Sequence, residues 1–69
     1  MTSHPSRSKR LQQRAHSKLY TGEWMTWREA ASLDYYRQRI PRLWPRDDPS
    51  LYDYRFVAGC IDRRSIIVE

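Results

Sequence analysis

Arginine and aromatic residues are interleaved in a short central stretch of this 69-residue chain. Between residues 35 and 46 there are four arginines and no acidic residue. A guanidinium group can donate two hydrogen bonds at once to a phosphate or to a guanine edge, and an aromatic ring can stack on a base. The stretch therefore predicts nucleic-acid contact, DNA or RNA, through Tyr35, Arg37, Arg39, Arg42 and Arg46.

A second basic segment lies at the N terminus. The formal net charge is +5, and residues 1–18 contain five basic residues and no acid, whereas residues 19–69 contain eight arginines and eight acids. We expect this leader to add salt-sensitive affinity for phosphates, through Arg7, Lys9, Arg10, Arg14 and Lys18. The alternative is a solvated basic arm that makes no specific contact.

The same residue types also suit a protein interface. Tryptophan, tyrosine and arginine are enriched at the energetic centres of protein–protein contacts. The alternative function is therefore a protein-binding module, an inhibitor or an assembly subunit, anchored by Trp24, Trp27, Tyr35, Tyr36 and Trp44.

Residues for catalysis are sparse. The two histidines, His4 and His16, both lie in the basic leader, away from the rigid elements that usually hold catalytic bases. The adjacent carboxylates Asp47 and Asp48 lie between prolines, where we expect solvated surface, and the single cysteine, Cys60, is expected to be a small core residue. We therefore predict no enzyme activity, no cofactor and no metal site.

The chain contains no apolar run that approaches the eighteen residues of a membrane span. A single cysteine also excludes an intramolecular disulfide bond. We expect an intracellular, cytoplasmic protein with no membrane partner; organelle targeting is the alternative, because residues 1–19 lack acids as transit peptides do. A core this small contributes only about 3–5 kcal/mol, which makes partner binding or a homodimer compatible with the sequence.

Thr26 and Glu29 have the spacing of a capping box and predict a main helix that begins at Trp27. Pro41 disfavours helical geometry in Ile40, so this helix is expected to end there or one residue earlier. A further helix is predicted from about residue 7 to residue 19, because Leu11, Ala15 and Leu19 recur at helical spacing.

The C-terminal part changes to the two-residue period of a strand. Tyr52, Tyr54 and Phe56 alternate with polar residues, residues 60–64 are predicted as a loop, and residues 65–68 as the returning strand. The predicted fold class is a small single α+β domain with a C-terminal β-hairpin. Residues 1–18 are expected to form a leader that is disordered or partly helical, with disorder over residues 1–6. Residues 19–69 are expected to form the folded domain.

Residues 24–33, WMTWREAASL, resemble the opening of small helix-turn-helix modules. Winged-helix excisionases of phages and mobile elements, and their MerR-like relatives, share this opening and end in a hairpin wing. The resemblance implies a regulatory DNA-binding protein with two short helices, Trp27–Leu33 and Tyr35–Ile40, the second capped by Asp34. It places Tyr35, Arg37, Arg39 and Arg42 on the recognition element, and Arg63 and Arg64 on the wing.

Overall fold

The computed structural model describes residues 7–67, with side chains from residue 9 onward. The predicted disorder of residues 1–6 and the end of the predicted last strand, at Val68, lie outside this part. The elements confirm the α+β class and the C-terminal hairpin. In chain order they are α1 (Arg7–Thr21), β1 (Met25–Thr26), α2 (Trp27–Ala31), α3 (Asp34–Leu43), a 3-10 turn (Pro49–Leu51), β2 (Tyr52–Val57) and β3 (Cys60–Ser65).

Helix α1 confirms the predicted N-terminal helix and extends two residues beyond its predicted end, to Thr21. Ala15 is fully buried in the core, and Leu19 packs against the same core. An isolated helix of this length is marginal in water, so docking through these two side chains is what stabilises it. Helix α1 runs across residue 18, the boundary of the predicted leader, and the division into leader and domain stays a prediction.

The capping box at the start of α2 is present as predicted. The Thr26 hydroxyl accepts from the Glu29 N–H, and the Glu29 carboxylate accepts from the Thr26 N–H. The prediction of one continuous helix to Ile40 is wrong, because the chain leaves helical geometry at Leu33 (φ −101°, ψ 120°). The Ser32 hydroxyl donates to the Glu29 carbonyl, a local bond that competes with helix continuation.

Helix α3 then begins at Asp34, which lies in the first turn and bonds to Arg37, instead of serving as the N-cap. The cap position is Leu33, whose side chain is buried and makes no capping bond. The predicted end before Pro41 is also wrong, since α3 continues to Leu43. Pro41 removes one helical donor near the end of the helix, and the buried side chain of Ile40 holds the backbone there.

The three strands form an antiparallel sheet in the order β1-β2-β3. Strand β1 was not predicted, because two residues are too few to show a period. The predicted loop at residues 60–64 is wrong, because β2 and β3 are joined by Ala58 and Gly59, with φ of 55° and 78°. The bounds of the predicted returning strand, residues 65–68, are also wrong, because β3 ends at Ser65 and residues 66 and 67 lie outside it. Two consecutive positive φ angles are typical of the tight turn that matches the twist of a hairpin.

Tyr54 of β2 is the centre of the core and is 1% exposed. Its ring lies 6.1 Å from that of Trp27 and 6.2 Å from that of Trp44, and its hydroxyl donates to the Pro49 carbonyl (2.9 Å). Burial raises the pKa of Tyr54 to about 12. The expectation that Cys60 lies in the core is wrong, because it is exposed beside the hairpin turn.

The opposite face of the hairpin, here called the outer face, presents cross-strand ion pairs. Arg55 bonds to Asp62 (3.0 Å) and Arg64 to Asp53 (3.4 Å), and each pair is directly opposite in the strand register. Both guanidinium groups lie 4.4 Å from the centroid of the Trp24 ring. The outer face is therefore charged but locally neutral.

Candidate nucleic-acid interface

Helix α3 has one exposed polar face opposite the side that buries Ile40. Its residues follow the spacing i, i+3, i+4 and i+7, which places them on one side of a helix. They line a shared shallow depression, and they are Tyr35, Gln38, Arg39 and Arg42. We call this set the α3 face.

The chemistry of the α3 face suits base edges and phosphates. Arginine donates bidentately to guanine, glutamine both donates to and accepts from adenine, and a tyrosine ring can contact a base or sugar. Tyr35 is 63% exposed, and its ring is held edge-on against that of Tyr36 at 5.1 Å. The α3 face thus contains two cations and no carboxylate. Gln38 was missed in the sequence, because an isolated glutamine is not distinctive until its helix face is known.

A second basic surface lies in the groove between α1 and α2. Four cationic side chains line it together with the buried carboxylate of Glu29, and they are Arg10, Arg14, Lys18 and Arg28. We call this set the α1–α2 groove. Arg28 was missed in the sequence because its basic neighbours lie ten or more positions away along the chain.

Glu29 connects α1 to the capping box. It is 4% exposed, and its Oε1 accepts from Lys18 Nζ (2.9 Å) and from the Thr26 N–H (3.0 Å). Burial alone would raise the pKa of the Glu29 carboxyl, but the hydrogen bonds from Lys18 and Thr26 and the charge of Lys18 hold it below its ordinary value. Lys18, a predicted phosphate contact, is therefore already engaged within the fold.

The two basic surfaces are linked by shared residues. Leu11 lines both the α1–α2 groove and a neighbouring depression that reaches Asp34 and Arg37 at the start of α3. Asp34 in turn lines a depression that includes Tyr35 of the α3 face. The helical side of the molecule therefore has a series of neighbouring depressions between α1 and α3 that share lining residues.

The arginines divide into paired and unpaired groups. Arg37 bonds to Asp34 at 2.7 Å, beside the α3 face. Among the side chains that the structure describes, six arginines have no acidic partner within 4 Å, and all six are exposed: Arg10, Arg14, Arg28, Arg39, Arg42 and Arg46. Lys9 is also exposed, and nothing is described of the Arg7 side chain.

The two arginines expected on the wing already have partners within the fold. Arg63 bonds to Asp47 (2.8 Å) and lies over the rings of Trp44 and Tyr52, at 4.4 and 4.0 Å from their centroids. Arg64 pairs with Asp53, as described above. Neither is at the hairpin tip, which consists of residues 57–60 and contains no cation.

The aromatic residues of the alternative protein interface are mostly used by the fold. Trp27, Tyr36 and Trp44 pack against the core, and Trp24 is half-buried beside the outer-face arginines. Only Tyr35 of the predicted five is exposed. Tyr36 also contacts the hairpin, with its ring 6.2 Å from that of Phe56.

Comparison of the chain with protein-family models, with curated proteins and with solved structures gives no match. Over residues 7–67, no helix is long and apolar enough to cross a membrane. Within the same residues, no group of three His, Cys, Asp or Glu side chains is arranged to hold a metal ion.

Proposed function

We propose that this protein is a small, non-catalytic, intracellular regulator that binds double-stranded DNA, with the α3 face in the major groove and the α1–α2 groove on the phosphate backbone. The observation that carries the proposal is the α3 face, where Tyr35, Gln38, Arg39 and Arg42 share one exposed side of a helix without an acid among them. A helix of this kind matches the width of the DNA major groove.

The arrangement of elements also supports a helix-turn-helix protein with a wing. Only Ser32 and Leu33 separate α2 from α3, and the β2–β3 hairpin follows. The Tyr36–Phe56 ring contact brings the end of β2 against the first turn of α3. This supports the excisionase-like or MerR-like interpretation, in which a hairpin flanks the recognition helix; the phage or mobile-element origin is part of the same proposal.

DNA is preferred to RNA for a physical reason. The major groove of an RNA duplex is deep and narrow, and side chains on a helix cannot reach its base edges. A helical contact surface thus favours a DNA duplex. Arg46, exposed after the end of α3, adds a further cation that can reach a phosphate.

The experiment compares two double charge reversals that change the net charge equally. Fluorescence-anisotropy titrations measure the affinity of the full chain and of its variants for random-sequence DNA and for a sequence selected from it. We expect Arg39→Glu with Arg42→Glu to abolish the preference for the selected sequence. Arg10→Glu with Arg14→Glu should weaken both affinities and lower the salt slope by about one per lost phosphate contact.

A conservative variant separates readout from charge. Arg39→Lys with Arg42→Lys keeps both charges but removes the bidentate fork, so it should retain random-sequence affinity and lose about 1–3 kcal/mol of discrimination per base contact. Equal losses from the α3 and α1 reversals on every sequence would mean that only nonspecific charge attraction operates. Unchanged DNA affinity in the folded α3 reversal would refute the proposal and favour the protein-binding alternative, of which Tyr35 would be the exposed anchor.

A further inference from the structure

Among residues 7–67, strand β3 is the last strand in the sheet order, so no described strand pairs with its outer edge, which we call the open edge. The N–H of Ile66 donates to the carbonyl of Leu51 (3.0 Å), so the backbone groups of residue 66 face β2. Backbone direction alternates from residue to residue along an antiparallel strand. The groups of residues 60, 62 and 64 consequently also face β2, and those of residues 61, 63 and 65 face the open edge, where another strand can bond to them.

The charge pattern of β3 makes it complementary to itself in one register. Two antiparallel copies of β3 must place odd residues opposite odd residues, because only these present open backbone groups. A register centred on Asp62 brings two aspartates together, and one centred on Arg64 brings two arginines together. The register centred on Arg63 instead places Asp62 of each copy opposite the partner's Arg64, as a non-hydrogen-bonded pair with closely spaced side chains.

The opposed Arg63 residues at the centre do not prevent this pairing. Arg63 points to the other face of the sheet, where Asp47 neutralises it at 2.8 Å, and its side chain is only 21% exposed. Its guanidinium group also lies over the Trp44 and Tyr52 rings. Because Asp47 neutralises Arg63 within each copy, the net repulsion between the two opposed Arg63–Asp47 pairs is weaker than that between two unpaired arginines.

We propose that a second copy of this chain pairs with the β3 edge in the register centred on Arg63, which forms a symmetric homodimer with a six-stranded sheet. The outer-face ion pairs then continue across the interface, since Asp62 lies between Arg55 of its own chain and the partner's Arg64. The proposal does not depend on DNA binding.

A charge swap tests the interface while keeping the ion pairs within each chain. Arg55→Asp with Asp62→Arg reverses one internal pair and places like charges opposite one another across the interface. Adding Asp53→Arg with Arg64→Asp swaps the second pair and restores opposite charges there. In sedimentation of the full-length chains, the first variant should dimerise roughly 10- to 100-fold more weakly than the native protein, and the fourfold variant should recover most of that loss.

A cysteine cross-link tests the register. In this register Cys60 is opposite the partner's Ile66, whereas the two copies of Cys60 are about 20 Å apart by strand rise. Mild oxidation should therefore cross-link Ile66→Cys efficiently and leave the native chain uncross-linked, with Ile67→Cys as the shifted control. A native protein that is monomeric up to about 1 mM, a charge swap with no effect, or equal cross-linking of both cysteine variants would overturn the proposal.

Discussion

Replacement of Glu29 by glutamine tests whether α1 is held to the body by charge. Glutamine keeps the size of the side chain and the carbonyl oxygen that accepts from the Thr26 N–H, but it removes the negative charge. The interaction that is weakened is the one between Oε1 and Lys18 Nζ, 2.9 Å apart, because a neutral amide oxygen replaces a carboxylate oxygen as the acceptor. The Lys18 side chain is 28% exposed and the Glu29 side chain 5% exposed, so the pair lies at the edge of the core.

The magnitude follows from these contacts. A hydrogen bond to a charged group contributes about 1.5–3 kcal/mol and a neutral one about 1 kcal/mol, so replacing the charged acceptor by a neutral one should cost about 0.5–2 kcal/mol. Partial solvation of Lys18 keeps the cost below the 3–5 kcal/mol that is typical of breaking a fully buried pair. In a domain of this size, such a loss lowers the melting temperature by roughly 2–16 °C.

Urea unfolding followed by tryptophan fluorescence measures the free energy of unfolding of Glu29→Gln, Lys18→Met and the double variant. We expect a coupling free energy of about 1 kcal/mol between the two positions. The matched control is Arg37→Gln, which breaks the exposed pair with Asp34 and should cost about 0.5 kcal/mol or less. If Glu29→Gln costs no more than this control, or if the coupling is zero, the charge of Glu29 does not hold α1.

The same carboxyl gives a pH dependence with a defined sign. Its pKa is lower in the folded protein than the ordinary value of 4.5. Its contribution to stability is therefore fully present above the unfolded pKa and is lost as the pH falls through the folded pKa. Unfolding free energies measured from neutral pH into the acid range should decline less steeply for Glu29→Gln than for the native protein.

Three further changes test the hairpin and the core. Tyr54→Phe should cost about 1 kcal/mol through loss of the hydrogen bond to the Pro49 carbonyl. Burial raises the pKa of Tyr54 to about 12, so the stability that its hydroxyl contributes is full below the unfolded pKa near 10 and is lost as the pH rises toward 12. Urea titrations at alkaline pH should therefore show a smaller loss of stability for the variant than for the native protein. Arg63→Lys should destabilise by about 1 kcal/mol, since lysine lacks the planar group that stacks on two rings and bonds to Asp47; thermal unfolding without a shift would contradict this role. Ala58→Asn should stabilise by about 0.5–1 kcal/mol, because asparagine tolerates the positive φ of 55° better than alanine does, and a lower melting temperature would show that the turn is not strained.

Patterns within a few neighbouring residues predicted the elements that depend on those residues. The Thr26–Glu29 box gave the start of α2, and the alternation of Tyr52, Tyr54 and Phe56 gave β2. The break at Leu33 was not predictable from periodicity, because it depends on a tertiary contact that buries this side chain. The hairpin turn was missed although Ala58-Gly59 is a two-residue loop, since the β-branched run after residue 65 was the more conspicuous strand pattern.

The candidate site also has a part that could be predicted from sequence and a part that could not. The cations of α3 could be found because they are close in sequence, and their helix gives them a common face. The engagement of Arg63 could not be found, because its partner Asp47 is sixteen positions away and on a different element. Long-range pairing of this kind decides which arginines are available for a ligand, and composition alone does not contain it.

Because only some arginines are paired in this way, a net charge of zero for residues 19–69 does not mean that every arginine is neutralised. Four of the eight arginines in this part of the chain have an aspartate partner, and three of the four pairs include a residue of the hairpin: Arg55–Asp62, Arg63–Asp47 and Arg64–Asp53. The arginines without an acidic partner among the described residues belong to α2, α3 and the segment after it: Arg28, Arg39, Arg42 and Arg46. The cations of the hairpin are thus neutralised within the fold, whereas the helical side retains cations that a phosphate can approach. The spatial separation of paired and unpaired arginines, more than the total charge, is the physical basis for expecting an anionic partner on the helices.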